Sequence, residues 1–142
     1  MTHLPSTYAP VDSAFHVHAG GSGQIFGTGS YVPVSWTTEV YDAGDEFSSN
    51  VFTPKVSGKY MFRASLLFNS SENGTLGIMV NNIPVVQRKN TGDLYIISSI
   101  VELNVGDAVH LAFNRTSGGD GTIAGFAFAS NFKGYLVYEG TG

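Results

Sequence analysis

The 142-residue sequence contains no cysteine. Disulfides, thiolate metal centres and a cysteine nucleophile are therefore excluded, although a sufficient core or an oligomer can replace disulfides outside the cell. Charge is scarce too. Charged residues make up 13% of the chain, with seven Lys and Arg against eleven Asp and Glu and a formal net charge of −4. So few cations cannot lay down the basic footprint of a nucleic-acid binder. No apolar run approaches the roughly 20 residues that span a bilayer, so membrane insertion is not expected. The opening "MTHLPSTYAPVDSAF" lacks the basic start and apolar stretch of a signal peptide. Strong helix formers are sparse, and no long segment carries apolar residues at helical spacing.

What the chain does contain is 18 glycines and 13% aromatic residues. Many aromatics and glycines with few charges suit a turn-rich β protein. The length fits one domain able to bury a real core. Residues 1–13, with Pro5 and Pro10, read as an extended arm, and the domain is expected to occupy residues 14–142. Short alternating segments then recur: "AFHVH", "YVPVSW", "YMFRASLLF", "TLGIMVNN", "LYIISSIVEL", "AVHLAFN" and "FKGYLVY". In "YMFRASLLF", Tyr60, Phe62, Ala64, Leu66 and Phe68 fall on one side. Leu76, Ile78 and Val80 do the same, as do Ile97, Ser99, Val101 and Leu103, and Val109, Leu111 and Phe113. Turns are expected at "NSSENG" and "NVGD", with loops at "AGGSGQIFGTGS", "QRKNTGD" and "RTSGGDGT". Eight to ten strands with no helix between them predict an antiparallel sandwich or barrel.

The most specific local pattern is "FTPKVSGKYMF". Pro54 fixes φ and lacks an N–H, which marks a strand end. Gly58 is expected to take positive φ and reverse the chain before Tyr60 and Phe62 enter the core. In Gly106–Asp107 the glycine relaxes a turn while the aspartate accepts nearby backbone N–H groups. These roles are structural.

Candidate chemistry is thinner. His16 and His18 share one strand face at a spacing that can grip a metal, but no third ligand is evident, and surface or interface histidines are the simpler reading. Asp42, Asp45 and Glu46 could offer oxygen ligands to Ca²⁺, without the spacing of an EF-hand; a solvated acidic turn is the simpler alternative. The glycine-rich "GGSGQIFGTGS" has no following Lys–Ser/Thr and no helix, so it does not read as a nucleotide loop. No nucleophile elbow or oriented Ser/His/acid set is visible, so an enzyme is not expected. Trp36 and Tyr41, together with Asp42 and Asp45, are candidates for contact with a ligand, because flat side chains stack on sugar rings or anchor protein partners. Sequons at Asn69, Asn73 and Asn114 arise about as often as chance allows in a Ser/Thr-rich chain.

Three motifs in order carry a resemblance. Phe52, Pro54, Gly58, Tyr60 and Phe62 fit "F-x-P-x-x-x-G-x-Y-x-F"; Leu103, Gly106 and Asp107 fit "L-x-x-G-D-x-V"; Phe132, Gly134, Tyr135 and Leu136 fit "F-x-G-[FY]-L". With these motifs, residues 14–138 resemble the globular head of the complement C1q family, within the tumour necrosis factor-like jelly rolls. The resemblance implies a ten-stranded jelly roll of two sheets, assembled as a compact homotrimer. It places Phe132, Tyr135, Val137 and Tyr138 at the subunit interface. It implies a non-enzymatic recognition head for a cell-surface or extracellular glycan or protein. The alternative is a trimerisation module that caps a fibre and has no ligand of its own. Some relatives bind Ca²⁺. No Gly-X-Y repeat precedes the domain, so any stalk is expected to be of another kind or on another chain. The cysteine-free composition looks more like bacterial or viral members, at the surface of a cell or virion.

Overall fold

The computed structural model describes residues 13–140. The expected N-terminal arm therefore lies, except for Ser13, outside the described residues. Nine strands form among them: β1 (Ala14–His18), β2 (Val32–Pro33), β3 (Thr38–Asp42), β4 (Phe47–Ser48), β5 (Val51–Phe52), β6 (Gly58–Val80), β7 (Ile83–Leu103), β8 (Val109–Gly118) and β9 (Asn131–Glu139). All paired strands run antiparallel.

β6 organises the molecule. A straight strand of its 23 residues would span about 75 Å, roughly twice the diameter of a domain of this length. It therefore bends, and its register against β7 shifts between Leu67 and Glu72. Below the bend, residues 58–65 pair with β9, and the sheet continues through β1 to β3. Above it, residues 72–80 pair with β8, which carries β5 and β2 on its other edge. β7 follows β6 through both halves. The single hydrogen-bonded path thus folds into two facing leaves, the antiparallel sandwich that the alternation predicts and the jelly roll that the resemblance implies. The reading of ten strands becomes nine continuous ones, because β6 and β7 each serve both leaves.

Two expected breaks are consequently not breaks. "NSSENG" is the bend inside β6, and "QRKNTGD" is the matching stretch of β7. The real reversal between them is Asn81–Asn82, both at positive φ (52° and 67°), joining Val80 to Ile83. A two-residue loop with positive φ at both positions matches the right-handed twist of its strands.

The period-2 signal places the core as expected. Tyr60, Phe62, Ala64, Leu66, Phe68, Leu76, Ile78, Ile97, Leu103, Val109, Leu111 and Phe113 are all buried, while Val80 and Val101 pack against them partly covered. Two aromatic groups fill the space between the leaves. Phe15, Phe52, Tyr60, Phe62 and Phe132 form one; Phe26, Phe68, Tyr95 and Phe113 form the other. Phe132, expected at a subunit interface, therefore belongs to the core. It is fully buried, with its ring 5.0 Å from Phe15 and 5.8 Å from Phe62. The physical reason is parity: Phe132 and Gly134 point inward on β9, and Tyr135 points out.

The glycines of the motifs work in two ways. Gly106 takes φ +88° in its turn, where Asp107 accepts the Asn104 N–H at 2.8 Å and Gly106 donates to Pro54 O at 3.0 Å. Gly58, contrary to expectation, has no positive φ and reverses nothing. It sits inside β6, where a Cβ would collide with the Tyr138 carbonyl and come within 3.1 Å of Glu139 Cα. Gly134 is held for the same reason, since a Cβ there would meet the Phe62 and Phe15 rings at 2.7 and 2.8 Å. These two glycines let β6, β9 and β1 close up.

Candidate functional site

The outward side of the leaf built from β3, β1, β9, β6 and β7 presents the residues left over by core packing. One rung runs Tyr41, His16, Lys133, Arg63 and Ser98 across five strands. The next runs Tyr135, Met61 and Ile100. Tyr41 (47%), Tyr135 (54%) and Ile100 (57%) are open to solvent, as are Ile96, Val137 and Tyr138. An apolar surface with two adjacent cations in its middle is unusual for a chain so poor in charge.

Tyr41, Met61, Arg63, Lys133, Gly134 and Tyr135 line a cleft of about 280 Å³ on this side. His16 stands beside it, its ring 5.9 Å from Tyr41. Burial pushes the His16 imidazole below its ordinary value, and the charges of Lys133 and His18 push it the same way. At the lower end Lys59 lies over the Tyr138 ring, 5.4 Å from its centre. Its pKa is raised by hydrogen bonding to Tyr138 first, then by charge attraction to the same group, with Glu102 adding a smaller pull. At the upper end Phe128, at φ +65°, packs its ring 4.5 Å from His18 and 5.9 Å from His16.

The remaining candidates lie elsewhere. His18 accepts the Gly20 N–H through Nδ1, and no group of three metal-ligating side chains forms among the described residues. Asp42 spends both carboxylate oxygens on the Glu46 and Phe47 N–H groups, at 3.0 and 2.9 Å. Glu46 is buried and accepts from Ser13 Oγ and the Lys55 N–H, both at 2.8 Å. Asp45 alone remains exposed, at φ +55° in the turn. Asp42, Asp45 and Glu46 thus build a loop and do not converge on one point as Ca²⁺ ligands would. Trp36 is half-buried against the core, stacked on Phe132 at 6.0 Å, with its indole N–H buried and unpartnered. Tyr41 is 47% exposed and stands on the outward side described above. Of the sequons, Asn69 is exposed, Asn73 bonds Ser117 and Thr91, and Asn114 keeps a buried, unpartnered Oδ1.

Glu72 is the residue that sequence reasoning missed. It sits at the bend of β6, fully buried, with Oε1 2.7 Å from Arg115 Nε. Its Oε2 accepts from Ser70 Oγ and the Gly121 N–H, and Arg115 also donates to the carbonyls of Phe26 and Gly119. The Tyr95 hydroxyl bonds the Glu72 carbonyl at 2.8 Å; burial raises its pKa, with the Glu72 charge adding to the shift. The 118–121 loop, within the expected loop "RTSGGDGT", is therefore pinned to a buried ion pair. Nothing in "NSSENG" signals this, because Arg115 lies 43 residues away.

Comparison with known proteins follows the same lines. Residues 14–137 match the C1q domain family. Among solved structures, the globular domain of zebrafish complement 1qA protein is similar at TM-score 0.61 and 22% identity, covering 90% of this chain and 99% of that one. Murine APRIL is similar at TM-score 0.62 and 11% identity, covering 89% and 99%. Pika GITRL is similar at TM-score 0.57 and 15% identity, covering 90% and 97%. No curated protein sequence matches the chain.

Proposed function

The chain belongs to the C1q domain family, and from that premise we propose that it is a homotrimeric, non-enzymatic recognition head for an extracellular or cell-surface ligand, a glycan or a protein. Domains of this kind are typically trimeric, extracellular and ligand-binding, and no enzyme family is indicated. The observation that carries the reading is the apolar outward side of the β3–β1–β9–β6–β7 leaf. Tyr41, Ile96, Ile100, Tyr135 and Val137 stand exposed there, on either side of the Arg63–Lys133 rung, and clustered exposed apolar side chains mark an interaction surface. Covering it with two further copies leaves the loops at the ends of the jelly roll free to read a ligand, and three weak sites act together through avidity.

Sedimentation equilibrium of the purified chain should give close to three times 15.1 kDa; a stable monomer ends the trimer reading. A glycan array and binding to intact cells test the rest. A trimer that binds in neither assay leaves the domain as an assembly module alone.

A further inference from the structure

Arg63 and Lys133 are directly opposite each other on β6 and β9. Like charges in that relation are destabilising, since cross-strand side chains lie about 5 Å apart at Cβ. Three of the other five cations have partners, while Arg88 and Lys89 stand exposed on β7. Arg115 is ion-paired with Glu72, Lys55 donates to the Gly44 carbonyl at 2.8 Å, and Lys59 lies over Tyr138 with Glu102 opposite it. Arg63 and Lys133 have no carboxylate within 4.0 Å among the described residues. Glu102 is opposite Lys59, four residues along β6 from Arg63, or about 13 Å. A chain of net charge −4 has ample acid to neutralise two cations, yet sets none beside them.

The two cations also converge. Both line the cleft of about 280 Å³ whose walls are Tyr41, Tyr135 and Met61 and whose floor is Gly134. On the other flank of Lys133 stands His16, opposite it in the β1–β9 ladder. We propose that this cleft binds one small tetrahedral oxyanion of the phosphate or sulfate class, held between the Arg63 guanidinium and the Lys133 ammonium. A guanidinium presents paired N–H donors that match two oxygens of such an ion, and an ammonium adds a compact point charge. The Tyr41 and Tyr135 hydroxyls are further donors of the kind an oxyanion accepts. His16, with its ring held toward the neutral form by burial and by Lys133, offers a donor or acceptor without adding repulsion. Gly134 keeps the floor low because Phe62 and Phe15 leave no room for a side chain beneath it.

The site is complete within one chain. A further consequence rests on the trimer reading: Tyr135 belongs both to the cleft and to the proposed subunit surface, so the bound ion neutralises charge that packing would otherwise bury, and it tightens the assembly.

Thermal unfolding and isothermal titration of the full chain in sodium phosphate, against sodium chloride of equal ionic strength at pH 7.5, test this. Phosphate should raise Tm by roughly 5 °C at saturation and bind once per chain. Arg63→Met and Lys133→Met should each lose at least tenfold in phosphate affinity, while Lys89→Met responds as the unaltered chain does. Equal Tm in phosphate and chloride overturns the site, as does an undiminished response in Arg63→Met and Lys133→Met. Sedimentation separates the two readings. A monomer that still binds phosphate keeps the ion site and ends the trimer, whereas a trimer indifferent to phosphate does the reverse. Sodium sulfate in place of phosphate should act alike; a response to neither ion removes the proposal.

Discussion

Tyr60 is enclosed by Phe52 and Phe62, with its hydroxyl donating to the Val56 carbonyl. Burial raises its pKa, which fits a phenol that hydrogen-bonds but does not ionise. Replacing it with alanine removes the ring and leaves a cavity between the leaves, so Tyr60→Ala should cost roughly 3–5 kcal/mol in denaturant unfolding. A near-unchanged midpoint means the ring is not packed as described. The position was legible from alternation alone. Phe132 was not, because its motif gives an aromatic on a closing strand without saying which side that strand turns to the core. Gly58 shows the same limit. Its identity is readable in the motif, but the cause is the approach of the β9 backbone, a partner 80 residues further along the chain.

The two long strands carry the differences at the scale of elements. Polar residues and a glycine at "NSSENG" look like a chain reversal, since Ser, Asn and Gly compete with regular strand geometry. In the fold the same residues ease a bend, and the Glu72 carboxylate accepts from the Ser70 hydroxyl, the Gly121 N–H and Arg115. A buried carboxylate and its Arg partner are stable only together. Glu72→Leu should therefore cost about 3–5 kcal/mol, and amide exchange at Gly119 and Gly121 should accelerate beyond the rest of the sheet. The double variant Glu72→Met with Arg115→Met should recover much of the loss, since it leaves no charge unpaired. A single variant as stable as the parent shows that the pair does not anchor the loop.

Over the whole molecule, two histidines on opposite leaves contribute to the acid response. His16 is lowered by burial, Lys133 and His18, and His110 by burial alone. A folded-state pKa below the unfolded value of about 6.5 means the unfolded chain binds more protons in the window between them. The stability from each is thus fully present above about pH 6.5 and is lost as the pH falls through the folded values. Tm should fall on acidification from pH 7 to 5, and His16→Gln with His110→Gln should flatten that part of the curve. An unchanged slope in the double variant assigns the loss to other groups. Recognition and assembly belong to this scale also, because the side proposed for the trimer contact is assembled from five strands scattered over residues 14–139.

The amino-acid order by itself determined the all-β class, the inward alternation along β6 and β8 and over the second half of β7, and the Gly106–Asp107 turn. Each follows from a period of two and from the steric rules of single residues, which act locally. The tertiary structure alone decided which side of β9 faces the core and why Gly58 and Gly134 must lack a side chain. It also decided that Glu72 meets Arg115 and that Arg63 stands against Lys133. These depend on register between strands far apart in the chain, where a shift of one residue turns every side chain to the other face.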